Sequence, residues 1–270
     1  MDAPTLVVSD PPHGDVAVDV VSEVLGLDLA GTRLKVAFPA PEVLFATEAG
    51  EAAELSAALR GAGMGVAVMD GASLARVPWP SPVSSLAFDR DGLTARLHDR
   101  DVHLPYGAPV VGVYCKPPAD FRARAQVDAA AAMSNGPGPA VAEAIEWMAN
   151  LDLYYEDGGA LRRISIVPDL ADFSSLGALR RTTSGETMAA VVEQCQRRFP
   201  GLTLDRRLEN VRPRQRFVMG ETGFDVDQRK RYSYGTLLLC HVLDSIAPEL
   251  RDVPQYELGS RLAYVLARQR

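Results

Sequence analysis

"EVLFATEAGEAAELSAALRGAGMGVAVMD", residues 42–70, is the stretch on which the fold turns. Residues 42–46 read as a buried strand, 50–63 as a helix and 64–70 as a second strand. In the helix, Ala52, Leu55 and Leu59 share one face, with Ala58 beside them. Two short apolar strands around one helix make a βαβ unit, so the strands are expected to lie parallel with a right-handed crossover. Gly61, Gly63 and Gly65 resemble a dinucleotide loop in composition only. That loop must follow a strand and open a helix, so that backbone amides face the pyrophosphate. Here the glycines close a helix and precede a strand, which is what a C-cap does.

Upstream, Val16, Val20, Val21, Val24 and Leu25 recur at helical spacing over 15–26, and a second helix runs from Asp28 as N-cap through Leu34 and Val36. Downstream, "VPWPSP" (77–82) interrupts the chain. The segments "VSSLAF", "LTARLH", "VHL" and "VVGVYC" then predict an antiparallel meander of three or four strands. Leu93, Ala95 and Leu97 alternate with Thr94, Arg96 and His98, the period of a half-buried strand. Asp91-Gly92 is expected to supply the positive φ of a tight hairpin.

Residues 118–138 read as a linker, opened by Pro117-Pro118 and containing "SNGPGP", between a domain of 1–117 and one of 139–270. The second domain is expected to be a mixed α+β unit with three or four helices. Its predicted elements begin with a helix over 139–151 and a hairpin turning at Asp157-Gly158-Gly159, with Ile164 and Ile166 inward. A helix boxed by Thr183 and Glu186 follows, burying Met188, Val191, Val192, Cys195 and Phe199. "LTLDRRL" and "QRFVM" read as strands, and helices over 234–246 and 255–268 complete the chain. The first of these two is expected to be central. The second faces Leu258, Leu262, Val265 and Leu266 inward. The fold class is therefore α+β, a βαβ unit and a meander followed by a second mixed unit.

Of 270 residues, 47% are hydrophobic and 23% charged, which allows a sizeable core. The opening "MDAPTLVVSDPPHGD" has no basic start, and no apolar run approaches the ~20 residues of a bilayer span. The expectation is a cytoplasmic protein with no membrane association. Cys115, Cys195 and Cys240 are odd in number and far apart, and His13, His98, His103 and His241 do not pair with them at ligand spacing. Neither a disulfide framework nor a metal site nor any cofactor is implied.

Charge is distributed unevenly. Residues 1–120 carry 8 basic and 16 acidic side chains, whereas 160–231 carry 14 and 9. Lysine is scarce, with Lys35, Lys116 and Lys230 alone beside 25 arginines, a bias that GC-rich coding also produces. The candidate anion- or partner-binding set is Arg206, Arg207, Arg212, Arg214, Arg216, Arg229, Lys230 and Arg231. On a strand, Arg212, Arg214 and Arg216 would point one way and invite phosphate, carboxylate or nucleic acid. Tyr232 and Tyr234 follow and offer rings for stacking.

Asp169 and Asp172 stand just past a predicted strand end, where carboxylates suit metal or acid–base work, but turn and cap roles explain them better, since no histidine or third acid lies nearby to complete a metal set. Asp225 and Asp227 neutralise Arg229, Lys230 and Arg231 more simply than they hold an ion. Cys240 and His241, adjacent on a helix, point too far apart to share a proton. No catalytic constellation is present. The leading expectation is a non-enzymatic interaction or regulatory protein working through charge-complementary surfaces, with a protein partner or a second copy. The alternatives are an anionic-ligand binder or enzyme near Asp169 and Asp172, and nucleic-acid binding through 206–234. The sequence pI of about 5.2 weighs against the last.

Overall fold

The computed structural model describes residues 4–116, 149–168, 170–211 and 255–270. The fold is α+β, with three sheets among the described residues. Of the described residues, 4–76 and 255–266 form one compact unit, and 77–116, 149–168, 170–211 and 267–270 form the other.

The first unit holds a sheet of order β2-β1-β3, made of β1 (Thr5–Ser9), β2 (Glu42–Thr47) and β3 (Val66–Asp70). β1 runs antiparallel to both neighbours. The strands flanking α3 (Ala49–Gly61) therefore do run the same way, but they are not partners, because β1 lies between them. The expected βαβ unit is corrected to a split one. The physical reason is "TLVVS", too short an apolar run to announce a strand. Leu6, Val7, Val8 and Ser9 are all buried, so this strand is covered on both faces.

Helices α1 (Val18–Leu25) and α2 (Leu29–Val36) lead into this sheet. Val7 packs with Val21 and Leu25 of α1, Leu44 of β2, and Ala52 and Leu59 of α3. Ser56 rather than Ala58 completes the buried face of α3. The Asp28 side chain caps α2 by accepting from the Gly31 amide at 2.6 Å, as its sequence position implies. Leu34 is 69% exposed, however, and Thr32 is buried in its place, its hydroxyl donating to the Asp28 carbonyl. The glycines after α3 do close it. Gly63, at φ 84°, adopts the left-handed conformation, and its amide donates to Arg60 O. A short helix, α4 (Gly71–Ala75), follows β3.

The second unit begins at Val77, at the start of "VPWPSP". β5 (Ser85–Phe88), β6 (Gly92–Arg96) and β7 (Asp101–Pro105) form the meander in order. The fourth expected strand, β8 (Val110–Lys116), leaves it for a five-stranded sheet of order β11-β8-β9-β10-β4. There β8 pairs with β9 (Asn150–Asp157) and β11 (Leu202–Glu209), while β10 (Ala160–Ile166) joins the two-residue β4 (Ser81–Pro82). The meander and the later hairpin thus share one unit, which begins at Val77. The linker expected over 118–138 lies outside the described residues, as do the strand "QRFVM", the helix over 234–246 and residues 139–148 of the helix expected over 139–151. Its last two positions, Asn150 and Leu151, belong to β9.

The β9–β10 hairpin turns through Gly158 at φ 58° and Gly159 at φ 79°, the pair of positive angles of a type I′ turn. Gly92 is different. Its φ is not among the positive ones, and its need for hydrogen is steric: a Cβ there would lie 2.5 Å from Leu104 O and 2.7 Å from the His103 ring. Helix α5 (Ser184–Arg198) carries the expected capping box. The Glu186 amide donates to Thr183 Oγ1 at 3.2 Å, and the Thr183 amide donates to Glu186 Oε2 at 3.1 Å. Its Met188, Val191, Val192 and Cys195 bury with Leu86, Leu93, Leu104, Leu151, Leu153, Ile164 and Ile166, a core shared by the meander and one face of the larger sheet. The last helix, α6 (Gln255–Gln269), buries every side chain from Tyr256 to Leu266 rather than a single stripe.

Candidate functional site

Strand alternation gives the five-stranded sheet a second face, opposite that core. Leu153 pairs across from Ile164, so Asp152 and Tyr154 of β9 share the other side with Arg163 and Ser165 of β10. The same register adds Val113 and Cys115 from β8, Asn150 from β9 and Asp205 from β11. All eight side chains are buried. One face is thus an ordinary apolar core and the other a buried polar layer.

The centre of that layer is an ion pair. Arg163 Nη2 donates to Asp152 Oδ2 at 2.8 Å, with neither side chain exposed to solvent. The guanidinium carbon lies 5.1 Å from the Tyr154 ring centroid, a cation–π distance. At the sheet edge, Arg207 Nε meets Asp205 at 3.1 Å and 2.9 Å, gripping both carboxylate oxygens. Burial pushes the Cys115 thiol far up, and the Asp152 charge pushes it the same way. Burial alone pushes Cys195 up to about 12. Both thiols stay protonated at neutral pH, which removes them as nucleophiles.

Of the candidate arginines, two are described. Arg207 is held by Asp205, as above. Arg206 Nε donates to Glu209 Oε2 at 2.8 Å, and its guanidinium stands 5.7 Å from the Tyr114 ring. Both are committed to carboxylates of their own strand. Arg212, Arg214, Arg216, Arg229, Lys230 and Arg231 lie outside the described residues, as do Tyr232, Tyr234, Asp225, Asp227, Cys240 and His241. Asp169 is also outside them.

Asp172 is exposed and takes a capping role: Oδ1 accepts from the Ser174 amide and Oδ2 from the Ser174 hydroxyl, each at 2.8 Å. The amide and hydroxyl donors hold its carboxyl below the usual carboxylate range. Among the described residues no group of three or more His, Cys, Asp or Glu side chains could hold a metal ion. No helix among them is long and apolar enough to cross a membrane.

Elsewhere the arginines continue to serve carbonyls and carboxylates. Arg198 of α5 donates to Asp89 O and to the Tyr106 hydroxyl, both at 2.9 Å, and lies 5.3 Å from the Tyr106 ring. Arg96 and Asp101 face each other across β6 and β7 at 2.9 Å. On the same outer face, Thr94 Oγ1 bridges Asp89 Oδ2 at 2.5 Å and His103 Nδ1 at 3.1 Å.

The buried pair Asp152–Arg163 was not among the residues singled out from sequence. Its signal was present in the alternation itself: once Ile164 and Ile166 face the core, Arg163 and Ser165 must face away from it. No protein-family model, curated protein or solved structure matches the chain.

Proposed function

We propose that the protein is a non-enzymatic, cytosolic interaction protein that associates through surfaces of opposite charge, a second copy of the chain being the partner. The supporting observation is how exposed charge is divided. Among the described residues of 4–76, eight acids are exposed: Asp15, Asp19, Glu23, Asp28, Glu48, Glu51, Glu54 and Asp70. Three exposed arginines accompany them. Between 160 and 211 the balance reverses, with Arg162, Arg180, Arg181, Arg197 and Arg206 exposed against three acids.

Surface fields of opposite sign steer encounter and set register between molecules. The anionic-ligand alternative gains nothing from Asp172, whose two oxygens serve Ser174.

Sedimentation velocity of the full chain in 25 mM and 500 mM NaCl tests the proposal. Exposed charges further apart than about 8–10 Å are largely screened near physiological salt and above. The expected result is a concentration-dependent mass above the monomer at low salt that dissociates at high salt. A monomer at both salts, or an oligomer indifferent to salt, contradicts it.

A further inference from the structure

Residues 10–17, between β1 and α1, are clipped along the connection from α3 to β3. The Asp10 amide donates to Gly65 O at 2.8 Å, the Gly14 amide to Gly63 O at 3.0 Å and the Ala17 amide to Ala62 O at 2.9 Å. The two backbones touch: a Cβ on Gly63 would lie 2.1 Å from Asp15 O, and one on Gly65 would lie 2.5 Å from Asp10 O. One bond runs the other way, from the Gly65 amide to His13 Nδ1 at 3.1 Å.

That bond decides the state of the imidazole. An acceptor at Nδ1 carries no proton, so the ring hydrogen sits on Nε2, which is buried and finds no partner among the described residues. A protonated ring donates from both nitrogens, and an N–H at Nδ1 would face the Gly65 N–H. The bond and the second proton therefore exclude each other. The charged side chains carried by the two packed segments are Asp10 and Asp15 on one and Arg60 on the other, where Arg60 Nε is already donating to Val66 O at 3.2 Å.

We propose that residues 10–17 form an acid-released latch, which neutral His13 holds shut by accepting the Gly65 amide and which protonation of the ring opens. Burial holds His13 below its ordinary value, outweighing the Asp10 charge that raises it. The sign follows from that direction. The closed form is fully favoured above the ordinary histidine range and loses that advantage as pH falls through the lowered folded value. Opening releases the lead-in to α1, so acid acts on the helix whose Val21 and Leu25 pack on the sheet. This inference is independent of the proposed association.

Residue-resolved amide exchange of the full chain between pH 7.5 and 5.0, corrected for intrinsic rate and referred to the Val191 amide in α5, tests it. In the native protein, protection of the Gly65 and Gly14 amides should fall several-fold across that range. His13→Asn places a carbonyl oxygen where Nδ1 stands and cannot take the proton, so it should keep protection at both ends. His13→Ala should lack it at both. Unchanged Gly65 protection in the native protein down to pH 5.0 overturns the latch, as does an equal fall in His13→Asn.

Discussion

Asp152→Ala strikes the polar layer at its centre. The substitution removes the carboxylate 2.8 Å from Arg163 Nη2 and leaves a guanidinium fully buried on a sheet face. Breaking a buried pair from one side costs about 3–5 kcal/mol, because the surviving charge stays desolvated without its counter-charge. Against the ~5–15 kcal/mol by which folded proteins are stable, that is a large share. Asp152→Asn keeps the shape and one acceptor oxygen but not the charge, so its loss should be smaller.

Replacing both partners with apolar residues, Asp152→Leu with Arg163→Met, should recover most of the deficit, because neither position then buries a charge. Urea unfolding at pH 7, followed by tyrosine and tryptophan fluorescence, reads all four proteins. An Asp152→Ala protein within about 1 kcal/mol of the parent would refute the reasoning, since a central, dry ion pair cannot be removed from one side that cheaply.

Two further outcomes follow from local geometry. Thr183→Ala removes the oxygen that accepts the Glu186 amide at the start of α5 and should cost about 0.5–2 kcal/mol in the same unfolding assay. Cys115 and Cys195, buried with their thiols held protonated, should react with a thiol reagent at pH 8 only as fast as the protein unfolds. Rapid labelling of either thiol in Cys240→Ser protein would show that the core around it is open.

Much of the architecture was legible wherever one local rule dominated. The capping box of α5, the Gly158-Gly159 turn and the Asp28 cap each depend on a few neighbouring residues, and each stands where the sequence places it. Long-range pairing was less legible. β1 is five residues long, and nothing local says that it separates β2 from β3. β8 continues the apolar alternation of the meander, yet it hydrogen-bonds to β9 and β11, one of them nearly ninety residues along the chain. The start of the second unit at Val77 coincides with the break at "VPWPSP", while the linker expected over 118–138 lies outside the described residues.

In the described part of the candidate site, strand alternation, not arginine clustering, marks the buried pair. Arg206 and Arg207 drew notice by clustering but are paired on their own strand. Arg163 drew less, although its place between Arg162 and Ile164 puts it on the sheet face that Asp152 shares. Asp172 takes the cap role that aspartate past a strand end favours, serving the Ser174 amide and hydroxyl.

The proposed association depends on exposed acids in residues 4–76 meeting basic surface on another molecule. The most direct measurement is sedimentation equilibrium of the triple variant Asp15→Lys, Asp19→Lys, Glu23→Lys beside the native chain in 25 mM NaCl. These three side chains are exposed, and Asp19 and Glu23 stand one turn apart on α1, so the exchange reverses the charge of that surface. The native chain should self-associate and the variant should remain a monomer. Equal association constants for the two proteins would contradict the claim.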